Sequence, residues 1–224
     1  MLVLLLLPLA CGGGQDGGAT VRTTTTTTTA TTTATTTATT TTVTTAARTI
    51  EIALRFEVAV EDVAGFEDAV MATLTDERGW QRAGFRFVRR DVAPYTVVLA
   101  EGPEVDARCA PYDTGGRYSC QLGPVVALNA DRWRTATPQW TGSLEDYRRM
   151  LVNHEVGHLL GQHHVAGGCT TPGEPSPIMV QQSTNLDGCL ANPWPLDWEI
   201  ACAASGVEPL APPYEPDPVP RCGP

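Results

Sequence analysis

Lysine is missing from this chain of 224 residues, and its basic residues are 15 arginines that are not gathered in a basic run. Because nucleic-acid binding depends on clustered cationic side chains at phosphates, the formal net charge of −10 argues against that class of function. The chain also lacks the roughly 18 consecutive apolar residues that a membrane-spanning helix needs. Spanning membrane proteins and nucleic-acid binders are therefore both disfavoured.

Two low-complexity stretches occupy the N-terminal part and cannot build a hydrophobic core. Residues 1–18 are apolar and then glycine-rich, and residues 20–45 are threonine with a few alanines. We interpret residues 12–47 as a tether, either an O-glycosylated stalk or an unmodified disordered linker. Residues 48–224 remain as one domain, long enough to bury a substantial core.

The first eleven residues have the pattern of an export signal. Leu2–Ala10 is an apolar run too short to cross a bilayer, and Cys11 follows it directly. A small residue, this cysteine and then glycines resemble the lipobox of bacterial lipoproteins. The resemblance implies cleavage before Cys11 and lipidation of its thiol, so that the membrane is contacted only through a lipid anchor. A plain cleaved signal and a secreted protein are the alternative, and both place the domain outside the cytoplasm.

Six cysteines remain besides Cys11, an even number that predicts disulfides in an exported chain. Sequential pairing is our hypothesis, and it gives Cys109–Cys120, Cys169–Cys189 and Cys202–Cys222. The last pair would hold the proline-rich tail, residues 209–224. Zinc binding by these cysteines is the alternative, although the chain contains no C-x-x-C spacing.

Hydrophobic periodicity predicts an α+β domain, a mixed α/β layout with a loop-rich C-terminal part. Apolar residues alternate over Thr49–Val60, as in a strand, and recur at helical spacing over Asp62–Leu74, before Gly79. Further strands are predicted at 85–88, 95–100 and 125–129, and further helices at 144–160 and 195–204. The helix at 144–160 has a plausible capping box at Ser143 and Asp146, and Pro195 fits the first turn of the last helix.

The segment from His154 to His164 holds the candidate chemistry, with the pattern H-E-x-x-H-x-x-G-x-x-H. Two histidines four residues apart lie on one face of a helix, so His154 and His158 can bind one Zn²⁺ together. Gly161 breaks the helix, which allows His164 to approach as a third ligand. Three protein ligands and one open position are typical of catalytic zinc sites. Glu155 would act as the base toward water beside the metal.

This extended motif resembles that of the metzincin clan of zinc endopeptidases. The clan has a methionine-containing turn below its metal, and Ser176–Val180 is the matching segment, with Met179 as the methionine. Strings elsewhere, among them Leu128–Trp133 and Asn192–Pro195, resemble a family of exported bacterial metzincin-like domains. The resemblance implies a zincin domain with a twisted sheet, an active-site helix and a zinc cofactor, without naming a substrate.

The sequence therefore predicts a secreted or surface-anchored zinc endopeptidase, monomeric and acting on a peptide or protein substrate. Two alternatives stay open. One is a zinc-stabilised domain of the cell envelope that binds without cutting, and the other is an amidase acting on cell-wall peptides. An intact Glu155 favours catalysis, because a site that no longer cuts has little use for a base.

Overall fold

The computed structural model describes residues 49–61 and 63–205. The predicted signal with Cys11, the tether, Asp62 and the proline-rich tail with Cys222 lie outside the described residues.

A five-stranded twisted sheet forms the centre of the domain. Its strands are β1 (Ile50–Val58), β2 (Phe85–Arg89), β3 (Tyr95–Ala100), β4 (Cys120–Leu122) and β5 (Val125–Asn129), in the order β2-β1-β3-β5-β4. The first four strands in that order are parallel, whereas β4 runs antiparallel to β5 and lies at the edge. The mixed α/β fold class predicted from the sequence is thereby confirmed.

Among the described residues, five α-helices and one short 3-10 helix accompany the sheet. They are α1 (Phe66–Leu74), α2 (Gly102–Cys109), α3 (Ala130–Thr135), α4 (Leu144–Leu159) and α5 (Asp197–Ala204), with the 3-10 turn at Trp80–Ala83. Helix α4 contacts β5, β4, α1 and α3, so it lies against the sheet near the β4 edge. Within residues 49–61 and 63–205, no helix combines the length and the hydropathy of a bilayer-spanning segment.

The sheet is buried on both faces at β3 and β5, whereas β1 and β2 leave alternate residues exposed on one face. The larger core lies between the sheet and α4 and includes Trp80, Trp133 and Tyr147, each 2% exposed or less. A smaller core lies under α2, where Val98 and Val105 are fully buried. Burial on both faces explains why β3 is apolar at almost every position instead of alternating.

Several predicted boundaries were wrong by a few residues. The first helix begins at Phe66 instead of Asp62, because Gly65 just before it has a left-handed backbone with φ of 75°. It ends at Leu74, with Thr75 as its cap, so Gly79 does not terminate it. The last helix begins at Asp197, and Pro195 therefore precedes it instead of lying in its first turn.

Periodicity missed α2, α3, β4 and the 3-10 helix, because each is too short to show a pattern. Helix α2 buries only Gly102, Val105 and Cys109, and β4 has three residues. Helix α3 is a turn and a half long. For α2, the proline at its N-terminus was an available signal, since proline is favoured in a first helical turn.

Two disulfides lie within the described residues and match the sequential pairing. Cys109 is bonded to Cys120, and Cys169 is bonded to Cys189. The first bond joins the end of α2 to β4, and the second crosslinks the C-terminal loops. Disulfides persist in oxidising compartments, which favours an extracytoplasmic location. The third predicted pair includes Cys222 and stays a prediction.

Candidate metal centre

Helix α4 begins at Leu144, as the sequence predicts, and ends at Leu159, one residue before the predicted end. The Ser143 hydroxyl accepts a hydrogen bond from the Asp146 N–H at 3.0 Å, as an N-cap does. The Ser143 hydroxyl also donates to the Asp146 carboxylate. In a full capping box this carboxylate would accept from the backbone N–H of Ser143 instead. The predicted helix and cap are therefore confirmed, apart from this detail.

Gly161 reverses the chain immediately after α4. Its φ of 79° lies in the left-handed region that glycine adopts without strain. Its N–H bonds to the His158 carbonyl, and the N–H of Gln162 bonds to the Gly157 carbonyl, both at 2.9 Å. This pair of bonds is the Schellman arrangement. The reversal directs the following residues back toward the end of α4.

The reversal brings three imidazoles together. The His164 Nε2 atom lies 3.2 Å from Nε2 of His154 and 3.1 Å from Nε2 of His158. All three candidate ligand atoms lie within 4.8 Å of one another. Tetrahedral zinc with Zn–N bonds of about 2.0–2.1 Å would separate its nitrogen ligands by about 3.3 Å. The observed spacing fits one zinc ion.

Backbone carbonyls fix the tautomers of two of these imidazoles. The Nδ1 atom of His154 donates to the Ile178 carbonyl at 2.7 Å, and Nδ1 of His158 donates to the Gln162 carbonyl at 2.9 Å. A neutral imidazole that donates through Nδ1 carries a lone pair on Nε2. Both rings therefore present lone pairs to His164, which can donate one proton at most. A protonated Nε2 of His164 can donate to only one of the two imidazoles, and an unprotonated Nε2 can donate to neither. At least one short N···N contact is then left without a hydrogen bond, a repulsion that a shared cation relieves.

Burial keeps these imidazoles neutral. It lowers the pKa of His154 to about 3, with the nearby His164 acting in the same direction. Burial also lowers the pKa of His158 well below its usual value, followed by the effects of His154 and His164. Neutral imidazole is the form that binds metal, so the fold prepares both side chains as ligands.

Glu155 lies beside the histidines and lines the same cavity of about 500 Å³. Its side chain is buried, and this burial raises the pKa of the carboxyl group to about 8. A carboxyl group whose pKa lies near the working pH can both accept and release a proton. His163, the histidine out of register with the motif, also lines the cavity and is half-buried.

Titration of His154, His158 and Glu155 by itself would make the metal-free protein most stable near pH 6.5. Below pH 6.5, His154 and His158 become protonated in the unfolded chain but stay neutral in the folded chain. The stability of the folded chain therefore falls as the pH falls. Between 4.5 and 8 the folded chain retains a proton on Glu155 that the unfolded chain releases, so stability falls as the pH rises. Each group contributes a slope of about 1.4 kcal/mol per pH unit, and two histidines outweigh one glutamate below pH 6.5.

Urea denaturation of wild-type and Glu155→Gln chains, both stripped with a chelator, measures this dependence from pH 5 to 8. The free energy of unfolding of the variant should no longer fall as the pH rises above 6.5, but it should still fall as the pH drops below 6.5. A variant curve parallel to the wild-type curve across the whole range would contradict the burial of an ionisable Glu155.

Met179 packs directly beneath the histidine-bearing turn of α4. It is 2% exposed, and its sulfur would lie 2.5 Å from a β-carbon placed on Gly157. Trp80 fills the other side, at 3.0 Å from the same position. Gly157 therefore allows the methionine turn to approach the helix between His154 and His158.

Substituting Gly157 by alanine is expected to destabilise the protein by about 1–3 kcal/mol, because the added methyl group has no space. The free energy of unfolding in urea measures the effect. The added Met179→Ala substitution frees that space, so the double variant should lose less than the sum of the two single losses. Additive losses would show that the methyl group does not meet Met179.

Sequence reasoning missed the polar groups that hold the methionine turn. Glu199, on α5, is 1% exposed, and its carboxylate accepts hydrogen bonds from the backbone of Ile178 and Met179. The fully buried Gln182 and its partner Asn192 bind other backbone groups of the same turn. A glutamate or glutamine in a short segment is usually solvent-facing, so the sequence offered no signal for these contacts.

The chain was compared with known proteins by structure and by sequence family. No curated protein matches. Among solved structures, the chain is similar to high choriolytic enzyme 1, a hatching enzyme zinc-protease from the medaka fish Oryzias latipes. The two chains are 17% identical, and the TM-score is 0.29. The match covers 53% of this chain and 50% of that chain, so this chain spans about half the length of the neighbour.

The family comparison covers far more of the sequence. A family model described as "Protein of unknown function (DUF3152)" matches residues 15–208, which include the whole candidate metal centre. The chain belongs to the DUF3152 family.

Proposed function

We propose that this protein is a zinc-dependent endopeptidase. The observation that carries the proposal is the convergence of three Nε2 atoms, two of them with their lone pairs fixed by backbone carbonyls, beside Glu155. His154, His158 and His164 would hold the metal. Three protein ligands leave one coordination position for water or substrate, as in catalytic zinc sites.

When bound, zinc supplies Lewis-acid chemistry, because it makes water a stronger acid and polarises a substrate carbonyl. The remaining steps belong to the chain. Glu155 accepts the proton of the attacking water and then delivers it to the leaving amine, so that one carboxyl group serves as base and acid in turn. Its burial next to the histidines, in the same cavity, supports this role.

The cleft suits an extended peptide. Strand β4 lies at the edge of the sheet, and Cys120 and Gln121 line the cavity that contains the three histidines. An edge strand has unpaired backbone groups, to which a peptide can add as a further strand. Gln181 and Thr184 also line the cavity and offer neutral polar groups to the substrate backbone.

The same proposal places the enzyme outside the cytoplasm, either anchored through Cys11 or secreted, and acting as a monomer. The two disulfides support export. Mass spectrometry of the N-terminal peptide from cells that make the full chain would reveal a lipid on Cys11. A free N-terminus beyond Cys11 would favour the secreted form.

The test is digestion of a peptide library by the purified full-length chain, with metal content measured on the same sample. We expect one zinc per chain and internal cleavage that a chelator abolishes and added zinc restores. Zinc without cleavage of any peptide would favour a binding domain of the cell envelope instead. Cleavage confined to cell-wall cross-link peptides would identify an amidase, and absence of bound metal would refute the metal centre.

A further inference from the structure

We propose that Glu199 is a positioning residue of the metal centre and that it acts on His154 through the peptide group between Ile178 and Met179. The inference rests on the proposed zinc site. It assigns to α5, which has no residue in the H-E-x-x-H motif, a role in setting how strongly His154 binds metal.

The carboxylate of Glu199 is held entirely by backbone donors. Its Oε1 atom accepts from the Met179 N–H at 2.9 Å. Its Oε2 atom accepts from the Ile178 N–H at 2.9 Å and from the Leu196 N–H at 2.8 Å. A carboxylate that accepts on both oxygens suits the ionised form, which has only acceptors. The side chain is 1% exposed, so these hydrogen bonds are not weakened by competing water.

One peptide group connects this carboxylate to the metal centre. The Ile178 carbonyl accepts the Nδ1–H of His154 at 2.7 Å, and the Met179 N–H of the same peptide group donates to Glu199. Hydrogen bonds at the two ends of one amide polarise it and strengthen each other. The carbonyl therefore becomes a better acceptor, and the imidazole of His154 becomes a better donor of its Nε2 lone pair.

This arrangement resembles a carboxylate–histidine–metal triad with a peptide group inserted into it. Partners of this kind orient a metal-binding imidazole and raise its basicity, and removing one costs about 10- to 100-fold in metal affinity. The backbone origin of the link also explains why the methionine turn must be held rigidly. A turn that rotated would break the bond to His154 and the bond to Glu199 together.

The same turn offers a matched control. Asn192 is 9% exposed and donates to the Ser176 carbonyl at 2.7 Å, so it stabilises the turn without touching the Ile178–Met179 peptide group. If Glu199 were only structural, losing it would resemble losing Asn192. If it acts on His154, the two variants differ in zinc binding.

The experiment compares Glu199→Gln and Asn192→Ala in the full chain by three measurements. Zinc affinity comes from competition with a chromophoric chelator. The strength of the His154 hydrogen bond comes from the NMR resonance of its Nδ1–H in the zinc-loaded protein. Stability comes from urea denaturation of the metal-free and zinc-loaded forms.

We expect Glu199→Gln to weaken zinc binding about 10-fold and to shift the His154 Nδ1–H resonance upfield. Asn192→Ala should lower the stability of both forms equally, without either of these changes. The proposal is overturned if Glu199→Gln lowers both stabilities equally and leaves the zinc affinity and the resonance unchanged.

If Glu199→Gln does not fold, the wild-type chain still tests the link. Zinc binding to His154 makes its Nδ1–H more acidic, so the Met179 amide proton should move downfield on zinc addition, whereas a stationary resonance overturns the proposal.

A chain that binds zinc but cleaves no peptide would refute the peptidase proposal alone, since affinity and resonance need no turnover. A chain that binds no zinc would refute both.

Discussion

Replacing Glu155 by alanine is expected to abolish peptide hydrolysis and leave zinc in place. A positioned acid–base group contributes about 100- to 10,000-fold to a rate, so turnover should fall by that factor. The three converging Nε2 atoms belong to histidines, and two of them are oriented by carbonyls that Glu155 does not touch. The metal ligands should therefore survive the substitution.

The isosteric Glu155→Gln variant separates loss of the base from loss of volume. Glutamine fills the same buried space but accepts no proton, so it should be as inactive as alanine while disturbing the packing less. Glu145, near the other end of α4, is a matched control because it is exposed and pairs with Arg149 on the surface of the helix. Glu145→Gln should retain both zinc and turnover.

The measurements are single-turnover rates on a peptide identified in the library digest and metal content by atomic spectroscopy. Wild-type turnover in Glu155→Ala would refute the role of Glu155 as the base. Loss of zinc from Glu155→Gln would show instead that this side chain supports the ligands.

The sequence was sufficient to predict that the three histidines converge, because their approach depends on local geometry. The positions of His154 and His158 follow from the period of a helix, and Gly161 is needed for a left-handed turn. These constraints lie within eleven residues, so a linear pattern is sufficient to bring His164 back to the helix. The position of Met179 came from a family resemblance, and the structure places it under Gly157.

The supports of the centre could not be predicted, because they depend on contacts across the fold. The carbonyl of Ile178 reaches His154 only when a loop of the C-terminal part packs against α4. Glu199 reaches that loop from α5 through two backbone donors, the N–H groups of Ile178 and Met179, and a sequence does not reveal which backbone groups a side chain will bind. Helix α2 and strand β4 were missed for another reason, since their packing partners, and not their own periodicity, stabilise them.

Replacing His164 by alanine is expected to remove most zinc binding while the fold is retained. Two ligands would remain on α4, and the loss of a direct ligand should exceed the roughly 100-fold effect of removing an outer partner. His164 is half-buried and lies after the helix, so its removal leaves α4 and its Schellman turn intact. Zinc affinity by chelator competition and circular dichroism of the metal-free chain measure the two expectations.

The neighbouring histidine is the sharpest control for this experiment, because His163 and His164 are adjacent in the chain and line the same cavity. The Nε2 atom of His164 lies within 3.2 Å of the imidazoles on α4, and His164 belongs to the three-histidine group that could hold a metal, so His163→Ala should bind zinc at the wild-type stoichiometry. If His163→Ala lost zinc and His164→Ala kept it, the ligand set would have to be reassigned. Equal losses in both variants would mean that the loop after Gly161 as a whole, and not one imidazole, determines metal binding.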